Sequence, residues 1–207
     1  MSNSGLDWFQ HPRFARMYLR LSRKAERAGA AAHRHRLLAD LSGRVIELGA
    51  GNGLNFKHYP ETVTEVLAVE PDDVLRAHAE AAARRAPIPI RVVAGHADAL
   101  PADDASFDAA VTSLVLCSVS EPPSALAGLC RVLRPGGELR FYEHVRSSRA
   151  WMGRAEDLID PVWSRVAGGC HPNRDTLSAI REAGFEVREV QRIAFGLEHV
   201  LGRATRP

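Results

Sequence analysis

Paired cysteines are missing from this sequence. Its three cysteines, Cys117, Cys130 and Cys170, form no Cys-x-x-Cys unit and are odd in number. This argues against a disulfide framework and against a structural zinc site, so no metal is expected. Long apolar runs are missing too. No segment approaches about 18 uninterrupted apolar residues, and no signal-peptide core opens the chain. A membrane partner is therefore not expected, and a cytoplasmic, reducing location is the default. Charge of one sign is scarce as well. A formal net charge of +2 is too small to argue for nucleic acid. The arginines are spread over segments that also carry acids, as on a solvated surface. Repeats, low-complexity linkers and a second domain boundary are not seen. Residues 1–207 therefore read as one domain, long enough to bury a sizeable core.

What is present is a change of period along the chain. Residues 1–10 read as loose. From Pro12 to about Gly29, Phe14, Met17, Tyr18 and Leu21 recur at helical spacing, and a second helix is expected from Ala30 to Leu41. Short apolar runs then read as strands at 44–48, 66–69, 90–94, within 107–116, at 138–142 and at 186–192, with 197–206 as a last strand. Helical segments at roughly 72–86, 121–133 and 174–183 lie between them. This alternation means an α/β fold: a mostly parallel, seven-stranded, Rossmann-like sheet with helices on both faces. Residues 1–40 form an N-terminal helical lid. Residues 144–173 are the longest interruption, an insertion placed where open α/β sheets bind ligands.

The strongest local signal is Val45-Ile46-Glu47-Leu48-Gly49-Ala50-Gly51-Asn52-Gly53, where a strand hands over to a helix. Glycines there let the backbone turn tightly and approach a ligand, and free N–H groups beyond it can meet a carboxylate. Glu70 ends the second strand, 19 residues after Gly51, where a carboxylate can accept from both ribose hydroxyls. Loop plus acid describes a site for an adenosine-containing ligand. The dinucleotide fingerprint wants a third glycine where this chain has Leu54. Glu47 is badly placed beside phosphates and suits a ligand's ammonium or sulfonium. The spacing fits a methionine tail better than a pyrophosphate.

These residues resemble the class I S-adenosylmethionine-dependent methyltransferases (methyltransferase type 11) over about residues 40–195. The match takes in Val45–Gly53, Glu70-Pro71, Gly95-His96-Ala97-Asp98-Ala99-Leu100-Pro101 before Ser106-Phe107-Asp108, and Arg131-Val132-Leu133-Arg134-Pro135-Gly136-Gly137. The resemblance implies S-adenosyl-L-methionine as cofactor, held by Glu47, Gly49, Ala50, Gly51, Gly53, Asn55, Glu70, Pro71, His96, Ala97, Asp98, Leu114 and Cys117. Asp98 and its neighbours would flank the adenine, and Leu114 to Cys117 would lie near the methyl group. Asn55-Phe56-Lys57-His58-Tyr59-Pro60, Leu114–Val119, Glu143-His144-Val145 and Gly169-Cys170 are similar to the METTL7-like branch, whose members methylate alkyl thiols. The chain is also similar to small actinobacterial methyltransferases acting on hydroxyls, including one for 3-O-methylated mannosides. Its Ala- and Arg-rich composition points to a high-GC bacterium.

Methyl transfer from a sulfonium needs alignment and, for a hydroxyl acceptor, a base. His144, at the end of the fifth strand, is the candidate general base. Glu143 points to the other face and would line a different wall of the acceptor site. Tyr18 on the lid, Trp163 and His171 in the insertion are further candidate acceptor contacts, although core or lid packing competes for each. Consecutive side chains of His33-Arg34-His35-Arg36 diverge on a helix and read as a solvated face. The expected activity is O-methylation of a small hydroxylated acceptor such as a partially methylated sugar, by a monomer or homodimer. S-methylation of a small thiol is the alternative. A cofactor-binding or nucleic-acid-binding module without catalysis is the non-enzymatic one.

Overall fold

The computed structural model describes residues 6–207. Two helices, α1 (Pro12–Ala25) and α2 (Ala31–Leu38), precede β1 (Gly43–Leu48). Then follow β2 (Val63–Val69), α3 (Asp73–Ala83), β3 (Ile90–Val93), β4 (Phe107–Ser113), α4 (Pro122–Val132) and β5 (Leu133–His144). The chain ends with α5 (Ala150–Val166), α6 (Thr176–Glu182), β6 (Glu186–Phe195) and β7 (Leu197–Thr205). The sheet order is β3-β2-β1-β4-β5-β7-β6. The first five strands pair in parallel, and β7 runs antiparallel between β5 and β6. The order reverses between β1 and β4, which opens a crevice at their C-terminal ends.

Neighbouring residues of a strand face opposite sides of the sheet, so both faces need cover. Ile46, Leu67 and Phe141 pack with Leu126 and Leu129 of α4 and Ile180 of α6. Val45, Val66, Val111 and Tyr142 pack with Leu37 and Leu38 of α2 and Ala79 of α3. Both buried faces explain why the parallel strands read as unbroken apolar runs.

The two N-terminal helices are separated at the expected place by a kink at Glu26–Ala30, where Gly29 takes φ +126°. Two local differences from the sequence reading have physical causes. The segment before α1 is not loose among its described residues. Asp7–Phe9 form a 3₁₀ turn, Gln10 Nε2 donates to the carbonyl of Pro71 (2.9 Å), and the His11 N–H donates to Asp72 (3.1 Å). Residues 1–5 lie outside the described residues. Most of the 144–173 interruption is helix α5, which leaves Trp151, Leu158 and Val162 exposed.

Candidate active site

The C-terminal ends of β1, β2 and β4 open into a cleft of about 360 Å³. Of the residues named from sequence, Gly49, Gly51, Glu70, Pro71, His96, Ala97, Asp98, Leu114, Tyr18 and His171 line it. Gly49 and Gly51 both take positive φ, +65° and +56°. A Cβ on Gly49 would sit 2.5 Å from the Val115 side chain, so the turn is pressed against the β4 loop. Glu70 is buried and spans the turn. One oxygen accepts from the Gly51 N–H (2.7 Å), the other from the Asp72 N–H (3.0 Å). Burial pushes its carboxyl up to about 7, against the pull of these two bonds. Each oxygen keeps a second acceptor site, which suits a pair of ribose hydroxyls.

The far wall of this part comes from the N-terminal segment. The Phe9 ring stacks on His96 (centroids 5.1 Å apart), and Tyr18 lies against Gly51. Buried His96 Nδ1 has no hydrogen-bond partner among the described residues, although an Asp98 oxygen lies 3.5 Å away. A flat slot between an aromatic face and polar edges fits a nucleobase. Phe9, His11, Phe14, Asp72 and Ser113 were not singled out as site residues from sequence, yet all line the cleft, together with Val115 and Ser118 of the expected Leu114–Val119 segment. Asp72 had a legible signal as the N-cap of α3, where its side chain accepts from the Leu75 N–H. Phe9 and His11 had none.

Several expected contacts are placed elsewhere. Glu47 does not face the cleft: its oxygens accept from Asn55 Nδ2 (2.9 Å) and Tyr59 Oη (2.7 Å), and burial raises its carboxyl to about 7. Asn55 is equally internal, accepting from Arg34 (2.8 Å). A Cβ on Gly53 would meet Ala82 and Phe56, so this glycine serves helix packing. Ala50 is buried in the core behind the turn. Arg34 corrects the solvated-face reading. It is buried and also bonds Glu26 and Ser113 Oγ. Leu37 and Leu38 follow at i+3 and i+4, a spacing that marks the inward face of α2.

Glu143 is wholly buried and does not line the cleft. It accepts from the N–H groups of Val115 (2.9 Å) and Cys117 (3.3 Å) and so ties down the β4 loop. The loop needs tying, because Leu114 takes φ +61°, a costly value for a side chain of its size. His144 is also off the cleft. Its Nδ1 lies 3.6 Å from Cys117 Sγ and 3.3 Å from Cys170 Sγ, and its ring packs 4.4 Å from His199. Within this group the bond from the Cys117 thiol pulls Cys170 well below the usual thiol range, and Cys117 is pushed up. Cys117 is buried beneath the cleft wall. Trp163 is not among the residues lining the cleft.

His171 reaches the cleft, as His11 and His96 do. Its Nδ1 lies 2.9 Å and 3.0 Å from the two Asp160 oxygens, and its backbone N–H donates to the Cys117 carbonyl (2.7 Å). A carboxylate only accepts, so Nδ1 carries a hydrogen, and in the neutral ring that leaves the lone pair on Nε2. The lining of the cleft as a whole is largely apolar and includes Trp8, Phe14, Val115, Val119 and Gly168.

Residues 46–141 match the methyltransferase domain family. The human thiol S-methyltransferase TMT1B is 33% identical over 181 residues, covering 82% of this chain and 74% of that protein. A demethylmenaquinone methyltransferase of Renibacterium salmoninarum is 38% identical over 109 residues, 50% of this chain and 44% of that one. Among solved structures, a SAM-dependent methyltransferase of Thermotoga maritima superposes with a TM-score of 0.68 at 23% identity, covering 94% of this chain and all of that chain. With its strand order, its glycine turn clasped by Glu70 and these relatives, the chain belongs to the class I S-adenosylmethionine-dependent methyltransferases.

Proposed function

We propose that this protein methylates the sulfur of a small, mostly apolar thiol, with His171 as the base. The His171–Asp160 pair on an apolar cleft wall is the observation that carries this reading. Its agreement with the thiol S-methyltransferase relative supports it. A sugar would want several polar partners at the acceptor end. Two residues expected to bind one, Glu143 and Trp163, do not line the cleft.

The cofactor supplies a methyl group activated on a sulfonium. The rest falls to the chain. Glu70 holds the ribose hydroxyls, the Gly49–Gly51 turn meets the amino-acid end, and Phe9 with His96 bounds the base. Phe14, Val115 and Val119 hold the acceptor's apolar body and exclude water. A thiol has a pKa of about 8.5, so a neutral imidazole can take its proton ahead of transfer, whereas a sugar hydroxyl is far less acidic and gives up its proton only as the new bond forms. Asp160 orients the ring so that His171 Nε2 holds the proton as the sulfur becomes nucleophilic.

The test is methyl transfer to an alkyl thiol and to the alcohol of the same skeleton. The thiol should be methylated and the alcohol should not. In His171→Ala, kcat at pH 7 should fall by about 100-fold, with recovery at higher pH where thiolate forms unaided. Preference for the alcohol, or a His171→Ala profile equal to wild type, would overturn the reading.

A further inference from the structure

We propose that Cys117, His144 and Cys170 form a zinc-binding site behind the acceptor wall. These residues converge from three separate places: the loop after β4, the last residue of β5 and the loop after α5. Their ligand atoms all lie within 4.8 Å of one another. The individual separations are 3.7 Å between the two sulfurs, and 3.6 Å and 3.3 Å from the sulfurs to His144 Nδ1. A tetrahedral zinc with bonds of about 2.3 Å to sulfur and about 2.0–2.1 Å to nitrogen needs about 3.8 Å between sulfurs and about 3.5 Å from sulfur to nitrogen. The three separations sit within about 0.3 Å of those targets, with no rearrangement of the chain. Two thiolates and one imidazole also select zinc over the oxygen-seeking cations.

The surroundings favour a resident ion. Both cysteines are buried, and both are free. The buried His199 ring packs against the His144 ring at a 45° tilt, and its own Nδ1 is committed to the Leu197 carbonyl (2.8 Å). The protein thus supplies three ligands and leaves the fourth position to water or a small ligand. The consequence reaches the cleft. Cys170 sits between Gly169 and His171, both cleft residues, and the Cys117 carbonyl holds the His171 N–H. A metal bridging Cys117 and Cys170 would clamp this segment to the β4 loop and set the position of His171. The site stands on these separations whichever acceptor the enzyme takes.

The full chain, purified under reducing conditions without chelating resin, should carry one zinc per chain by elemental analysis. After replacement with Co²⁺, a thiolate-to-cobalt charge-transfer band and the intense visible bands of a tetrahedral site should appear. Loss of an outer-shell partner typically weakens metal affinity by about 10–100-fold, so Cys170→Ser, which removes a ligand, should weaken it by more than about 100-fold. His144→Ala should do the same, while S-adenosylhomocysteine binding reports that each variant is folded. Wild-type protein that binds S-adenosylhomocysteine, yet holds no zinc above background and develops no cobalt band, would overturn the proposal. So would mass spectrometry finding Cys117 and Cys170 joined as a disulfide in the reduced preparation.

Discussion

Lowering the pH should loosen the nucleoside's grip on the cleft through one identifiable group. Glu70 is buried at the end of β2, and its carboxyl titrates at about 7. Ribose hydroxyls are donors, so they favour the ionised form. The ionised fraction is about 0.9 at pH 8 and about 0.1 at pH 6, by simple titration about a pKa of 7. The dissociation constant should therefore rise about tenfold between those pH values, equivalent to about 1.4 kcal/mol. Adenosine is the right probe, because it has no amino-acid tail and its affinity is blind to charge at that end of the cleft. Calorimetry at pH 6, 7 and 8 reads the slope directly. In Glu70→Gln the slope should vanish. Affinity at pH 8 should also fall by at least about tenfold, since an amide NH₂ cannot accept from Gly51 or Asp72. An adenosine affinity constant within twofold from pH 6 to 8 would refute the reasoning, and so would a slope that survives in Glu70→Gln.

Three further outcomes follow from the same geometry. Glu47 and Glu70 are both raised from the ordinary carboxylate value to about 7, so the ligand-free fold binds their protons more tightly than the unfolded chain. That stability is present below about pH 4.5 and lost as pH rises through 7, at most about 3 kcal/mol for each group; urea melts at pH 6 and pH 8 should show the lower midpoint at pH 8. Arg34→Met leaves Glu26 with only Lys57 at 3.4 Å and Asn55 Oδ1 without its donor, and should cost about 3–5 kcal/mol by chemical denaturation, of which Arg34→Lys should recover only part. Gly53→Ala, at φ +75° and 2.8 Å from Ala82, should lower stability by about 1–3 kcal/mol and leave adenosine affinity within a few-fold.

Where sequence reading succeeded, the information was local. Most of the parallel strands were legible because they are short apolar runs, several of them bounded by glycine or proline. The nucleoside end was legible because a glycine turn and an acid at the next strand's end answer one another along the chain. The Phe9 wall of the cleft and the partner of His171 were not legible, because they come from distant segments. Phe9 reaches His96 only because Gln10 and His11 are pinned to the turn after β2. Asp160 meets His171 because α5 runs back beside the loop that follows it. Strand position rightly put His144 at the sheet's C-terminal edge, but periodicity could not show which neighbours it turns towards. Cys117 and Cys170 are 53 residues apart, and no spacing rule joins them to His144. Glu143 was correctly expected to face away from His144; that its role is to hold the strained Leu114 loop follows only from the coordinates.

The most direct measurement is a crystal structure with S-adenosylhomocysteine and an unreactive analogue of an alkyl thiol. Ribose hydroxyls should sit on Glu70, adenine beside the stacked Phe9–His96 pair, and the acceptor's sulfur between the homocysteine sulfur and His171 Nε2. A nucleoside bound away from Glu70, or an acceptor lodged with His171 out of reach, would contradict it.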